Sequence, residues 1–297
     1  MTLEELLPGS GGFRYNFAFL DEGAKREVRR ALLKAVALPG HQVPFASPEL
    51  PIARGWGTGG LQITMSLIGP NDVLKIIDQG CDGSVNAVNL RKLLVATTGV
   101  RTTFDSREAT ILQSRHRLPE IPLKPHQVAV LQVPLPEPLR LVEPSEIATR
   151  RMHAEGDYAR MWVSLYEDVI QNGAISLTAG YPCRVNNTYI MSPSPLPRWD
   201  LPLLNGAEHL TLLGAGREKR VYAVPPCTSV QPLEFEDLPF TVESFAGMSC
   251  ARCGSSGTFL DEIYDEKTGL SSRVCSDSGF CVLVREGAIQ PRRPTHG

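Results

Sequence analysis

The apolar positions Val28, Ala31, Leu32, Ala35 and Val36 recur at helical spacing, which gathers them on one face of a helix. Asp21 stands ahead of them as an N-cap and Pro39-Gly40 behind them as a stop, so a first helix is expected between these points. The period then drops to two. Leu61, Ile63, Met65 and Leu67 alternate with Gln62, Thr64 and Ser66, which predicts a strand with one wet face. Asn71 is placed to cap a short helix ending at Gly80, and a further helix is expected from Ser84 to Gly99. Residues 109–117 and 128–133 read as strands. Seven prolines between 118 and 144 keep that stretch mostly extended, because proline lacks an amide hydrogen and restrains its predecessor. Residues 146–172 read as helix with a break at Gly156. Two strands follow around a turn at Asn186-Asn187, then a second proline cluster, Pro193 to Pro202. Two apolar runs, Leu210–Leu213 and Val221–Val224, are joined by the loop Gly214 to Arg220.

These shifts divide the chain into a flexible tail (1–13), the first part of a core (14–123), a proline-bracketed inserted subdomain (124–202), a return to the core (203–247), a four-cysteine metal-binding module (248–283) and a disordered polar tail (284–297). Helices and strands alternate irregularly, so the expected class is α+β: a mixed core with an inserted subdomain and a C-terminal zinc-ribbon-like module.

Composition narrows the function. The 297 residues suit about two domains. A net charge of −2 gives no electrostatic drive toward nucleic acid or membrane. No apolar run approaches the ~20 residues of a membrane span, and residues 1–12 lack the charged and apolar regions of a signal peptide. The expected location is cytoplasmic. There the seven cysteines, an odd number with four inside residues 250–281, read as metal or redox ligands and not as a disulfide framework. Cys81, Cys183 and Cys227 have no partner spacing and are expected to be ordinary thiols in buried or half-buried positions.

The pattern Cys250-x2-Cys253-x21-Cys275-x5-Cys281 is the strongest local signal. Two cysteines separated by two residues can grip a metal from one tight turn, and a returning segment supplies the others. The spacing fits a structural zinc ribbon with four thiolates. It equally admits three thiolates on an iron–sulfur cluster with a fourth sulfur free. The Pro39-Gly40 element has two readings as well: a helix C-terminus, or a glycine suited to hold a Cα radical between an amide donor and a carbonyl acceptor. Gly55-Trp56-Gly57-Thr58-Gly59-Gly60 has the backbone amides to cradle a phosphate but lacks a P-loop ending. Arg115 and Arg117 fall on one face of a strand end, with His116 on the other, and two guanidinium groups there suit a phosphate. Arg217, Lys219 and Arg220 crowd a glycine-containing loop that also suits an anion. Solvated ends are the plain alternative for both basic groups.

In joint order these stretches, with Tyr15 to Glu22, Arg115 to Glu120 and Gly214 to Pro226, resemble the catalytic-subunit family of bacterial carbon–phosphorus lyase across residues 14–283. The resemblance implies cleavage of α-D-ribose 1-methylphosphonate 5-phosphate to methane and ribose 1,2-cyclic phosphate 5-phosphate. It implies S-adenosylmethionine and a [4Fe–4S] cluster as cofactors. Cys250, Cys253 and Cys275 would be the cluster ligands, Cys281 a transient thiyl radical and Gly40 a glycyl radical. Zinc would fill the same four sulfurs in an isolated or air-exposed preparation. Implied partners are the other core subunits and an ATP-binding cassette protein, with segment 124–202 as a docking surface. The competing reading is a non-catalytic zinc-ribbon scaffold subunit.

Overall fold

The chemistry of the chain rests on a sheet whose helices do not all fall where periodicity puts them. The computed structural model describes residues 22–38, 43–44, 60–78, 82–115, 117–133, 145, 147–148, 151, 171, 176–177, 183–186, 189–191, 201–215, 220–232, 241–242 and 245–293. Helix α1 (Glu22–Ala37) forms as expected and buries Val28, Ala31, Leu32 and Ala35. The first departure follows. Residues expected as a strand are helix α2 (Gly60–Leu67), in which Gly60 through Ser66 are all buried. The polar members of the alternation mark no wet face, because α2 lies between α1 and the sheet. Ser66 satisfies its hydroxyl inside the helix by donating to the Ile63 carbonyl at 2.8 Å. The second departure is β2 (Val73–Ile77), where a short helix was expected. Asp72 works as a brace ahead of it, accepting from the Gly69 amide and the Thr110 hydroxyl, each at 2.7 Å.

Helix α3 (Val85–Thr98) keeps its expected bounds, with Ser84 as N-cap and Gly99 as C-cap. The further strands are β1 (Val43–Pro44), β3 (Arg101–Thr102), β4 (Ile111–Arg115), β5 (Val128–Val133), β6 (Ser176–Leu177), β7 (Cys183–Val185), β8 (Tyr189–Met191), β9 (Leu210–Ala215), β10 (Arg220–Val224), β11 (Val230–Pro232), β12 (Thr241–Val242), β13 (Leu260–Asp265) and β14 (Leu270–Cys275). Two more helices, α4 (Leu201–Leu204) and α5 (Ser278–Arg285), complete the described elements.

Seven strands form one sheet in the order β1-β10-β9-β5-β4-β2-β3. The run from β9 to β3 is parallel, and β10 and β1 close one edge antiparallel. In chain order β3 goes to one side of β2, and β4 and β5 to the other. The switch point therefore lies between β2 and β4, and the crevice beyond the carboxyl ends of such strands is where open α/β sheets bind ligands. Asp78 and Arg115 stand there. Helices α1, α2 and α3 cover one face with Leu74, Ile76, Ile111, Val130 and Leu212. Leu112, Leu131, Leu213 and Tyr222 point to the other face, against α4 and Val230.

Strand β5 is the middle strand of the sheet, so an inserted subdomain cannot begin at 124; any insertion follows Val133. The hairpin β7–β8 turns at Asn186, whose φ is 51°, as the Asn-Asn pair suggests. The expected helix 146–172 lies almost wholly outside the described residues. Beyond the module, residues 286–293 are docked where a loose tail was expected: the Ser256 amide donates to the Arg292 carbonyl at 3.0 Å, Arg292 pairs with Glu120, and Ile289 packs on the module. Among the described residues no helix is long and apolar enough to cross a membrane.

Candidate metal centre

The C-terminal module is a β13–β14 hairpin followed by α5. A turn at residues 250–254 carries Cys250 and Cys253. It closes through the Gly254 amide donating to the Cys250 carbonyl and the Cys250 amide donating to the Ser255 carbonyl, each at 2.8 Å. Gly254 has φ of +72°, a conformation that side chains disfavour. Cys275 ends β14, and Cys281 sits in the first turn of α5, its amide donating to the Asp277 carbonyl at 3.0 Å. Three elements thus deliver four sulfurs that all lie within 4.8 Å of one another. Cys250 is 3.7 Å from Cys281, and Cys253 is 3.5 Å from Cys275.

The four thiols are not equivalent. Burial alone would raise Cys250, but amide donation from Cys253, Cys275 and Arg252 brings it down to about 7. Burial pushes the Cys281 thiol up to about 12, with the neighbouring Cys250 thiol adding to it, and burial likewise raises Cys275. Cys250 is therefore the sulfur prepared as a thiolate, the form that binds metal.

As donors, four thiols suit zinc or an iron–sulfur cluster. Around one zinc, Zn–S bonds of about 2.3 Å set tetrahedral sulfur–sulfur edges of about 3.8 Å, close to the 3.5 and 3.7 Å observed. A cluster takes thiolates on separate irons, so its cysteines stand farther apart. The chemistry admits both groups; the spacing is that of a single ion.

The other expected site residues are distributed differently. Arg115 reaches from the end of β4 to Asp78 beyond β2, with Nε 3.1 Å from Oδ1. Arg117 has left the strand. It pairs with Asp261 at 2.9 Å and lies over the Phe259 ring, tying the sheet to the module. The two guanidinium groups thus serve separate carboxylates. Arg220 opens β10, where its backbone pairs with Pro44 and Ala215. Gly40, His116, Arg217 and Lys219 lie outside the described residues, as does Cys81. Cys227 is exposed, not buried or half-buried as expected.

Sequence reasoning missed the groups that seat the module. Lys75, Asp82, Glu120 and Asp277 are all buried polar residues. Burial raises the Glu120 pKa, against the Phe259 amide and Arg292, which hold its charge. A lysine inside the run Val73-Leu74-Lys75-Ile76-Ile77, and an Asp-Ser-Gly start before Phe280, were the available signals.

A largely buried group of four thiols able to hold a metal ion, docked on the switch-point side of a parallel sheet, defines a protein of the mixed α/β class with a C-terminal cysteine module. The chain belongs to the family described as phosphonate metabolism protein PhnJ, whose profile matches residues 13–286. It is 52% identical over 276 residues to the Alpha-D-ribose 1-methylphosphonate 5-phosphate C-P lyase of Escherichia coli (strain K12), covering 93% of this chain and 98% of that relative. It is 53% identical over 267 residues, 90% of each chain, to the protein named Alpha-D-ribose 1-methylphosphonate 5-phosphate C-P-lyase from Rhizobium meliloti (strain 1021).

Proposed function

We propose that this chain is a radical S-adenosylmethionine carbon–phosphorus lyase of phosphonate catabolism. It converts α-D-ribose 1-methylphosphonate 5-phosphate to ribose 1,2-cyclic phosphate 5-phosphate and methane. It works in the cytoplasm beside the other core subunits and an ATP-binding cassette protein. The names of its near-full-length relatives support the substrate. The observation that carries the mechanism is a fourth sulfur, Cys281, delivered on its own helix beside Cys250.

An alkyl carbanion is too poor a leaving group for acid–base catalysis, which supplies typically ~10²–10⁴-fold per positioned group, so homolysis is the accessible route. Cys250, Cys253 and Cys275 would hold a [4Fe–4S] cluster. When bound, cluster and S-adenosylmethionine supply the oxidising carbon radical. Gly40 gives up a hydrogen atom and then takes one from the Cys281 thiol. The Cys281 sulfur bonds to phosphorus as the phosphorus–carbon bond breaks, and the methyl radical takes hydrogen from Gly40 to become methane. The ribose 2-hydroxyl then displaces the sulfur, its proton restoring the thiol. Atoms balance without a further oxidant, and Gly40 is left as the radical for the next cycle. Arg115, His116, Arg117, Arg217, Lys219 and Arg220 are candidates to hold the substrate's phosphorus groups. The switch-point position favours Arg115.

The test is methane release by the assembled complex under anaerobic conditions with substrate and S-adenosylmethionine. Cys281→Ala is expected to fold, keep its metal on the other three thiols and release no methane. Methane at the unsubstituted rate would overturn the proposal. The single-ion spacing of the sulfurs favours one second reading, a zinc-ribbon scaffold subunit. In that case all four cysteines matter equally, and for folding alone.

A further inference from the structure

Lys75 is placed where a lysine is costly. It sits mid-strand in β2 on the face away from α1, α2 and α3, with no exposure. Its Nζ donates to the Phe104 carbonyl at 2.8 Å and to Asp277 Oδ1 at 3.0 Å, and Asp82 Oδ2 lies 3.4 Å away. Both carboxylates are buried too. Charges in such a place gain little stability over apolar residues of the same volume; what such a group supplies is a fixed arrangement.

The fixed arrangement is that of α5. Asp277 is the N-cap, its Oδ1 accepting from the Phe280 amide at 3.0 Å and its Oδ2 from the Glu120 amide at 3.1 Å. Asp82 Oδ1 accepts from the Ser278 amide at 3.2 Å and from the Ser278 hydroxyl. Gly279 lets the turn lie directly on the strand: a Cβ there would stand 2.7 Å from Lys75 Nζ and 2.1 Å from the Phe104 carbonyl. Residues 277, 278 and 279 are therefore each keyed to β2 or to the loops beside it, and the next turn of backbone carries Cys281.

We propose that Lys75 is a positioning residue for Cys281. It acts through Asp277 and, with Asp82, sets the register of α5 on β2, and so sets where the Cys281 sulfur stands relative to the other three thiols. As a claim about turnover this rests on the reaction proposed above; as a claim about the thiol it does not.

The main test uses the full chain with Asp277→Asn. Asparagine caps a helix as well as aspartate does, so the bond from the Phe280 amide is kept while the ion pair to Lys75 and the acceptor for the Glu120 amide are removed. Lys75→Met is the second variant. The first readout is the alkylation rate of each cysteine in metal-free protein, followed by mass spectrometry. The expected result is a rise of about tenfold at Cys281 with Cys253 and Cys275 unchanged, since loosening the tie to Lys75 frees only the α5 turn. The second readout is the absorption of cobalt(II) bound to the thiols, which shifts when one ligand moves. The third is turnover: kcat falls about a hundredfold, as for an ångström-scale misplacement, with KM unchanged. Equal acceleration at all four cysteines would reduce Lys75 to a merely stabilising role and overturn the proposal. So would an unchanged Cys281 rate and cobalt spectrum in a folded Asp277→Asn protein. If neither variant nor parent makes methane, the reaction proposed above fails, while alkylation and cobalt spectra still decide the role of Lys75.

Discussion

Burial acts on individual side chains with opposite consequences. It raises the Cys281 thiol to about 12, while amide donation lowers Cys250 to about 7, and the two sulfurs stand 3.7 Å apart. His209 shows burial acting alone. It lines a cleft of about 490 Å³ with residues of the 118–123 and 202–208 segments, and burial lowers its pKa from 6.5 to about 4. Between those values the unfolded chain binds the proton and the folded chain does not. The stability that the neutral ring confers is complete above pH 6.5 and is lost as pH falls toward 4. His209→Gln is expected to flatten the fall in urea midpoint between pH 7 and pH 5; an unchanged slope would assign the acid sensitivity to other groups. At this scale the metal site was the most legible feature of the sequence, because cysteine spacing reports a shared ligand directly. Lys75 was not legible. A polar residue inside an apolar run normally marks a wet face, and only the fold shows that Asp82 and Asp277 meet it. Gly40 and the loop 216–219 lie outside the described residues.

Among the elements, α1, α3 and β4 follow their patterns, whereas α2 and β2 exchange the expected types. The cause is burial on all sides. Residues Gly60 to Ser66 are buried throughout, so polar residues there no longer mark a face, and a two-residue alternation loses its meaning. Asn71 failed as a cap because Asp72 beside it braces the chain for β2. Helix α3 was legible because its cap is local chemistry. The Ser84 hydroxyl accepts from the Ala87 amide at 3.1 Å and donates to the Asp78 carbonyl at 2.6 Å, joining the helix start to the end of β2. Ser84→Ala should cost about 1 kcal/mol in urea unfolding, with a ceiling of about 2; no loss would mean that water replaces both bonds. The module makes its own prediction. Its hairpin β13–β14 is largely exposed and leans on the thiol site, Arg117–Asp261 and Glu120–Arg292. Removing the metal with a chelator should release amide exchange protection across 250–285 while leaving 111–133 protected. Uniform loss across both would show instead that the module and the sheet unfold as one.

For the whole molecule, mixed α/β content and a C-terminal cysteine module were readable, and the sheet order was not. Strands β5 and β9 are neighbours although the whole of 134–209 separates them in the chain, and no local pattern encodes that pairing. The same pairing corrects the domain division, since β5 belongs to the core. The resulting architecture sets the four-thiol module beside the strand ends where Arg115 and Asp78 stand, and this juxtaposition is what the proposed lyase requires. The most direct test is Mössbauer and electron paramagnetic resonance spectroscopy on the anaerobically reconstituted, reduced protein, with and without S-adenosylmethionine. The account predicts a [4Fe–4S] signal that shifts when S-adenosylmethionine is added. A protein that assembles no cluster and holds one zinc tightly on its four thiolates would contradict it and move the chemistry to a partner chain.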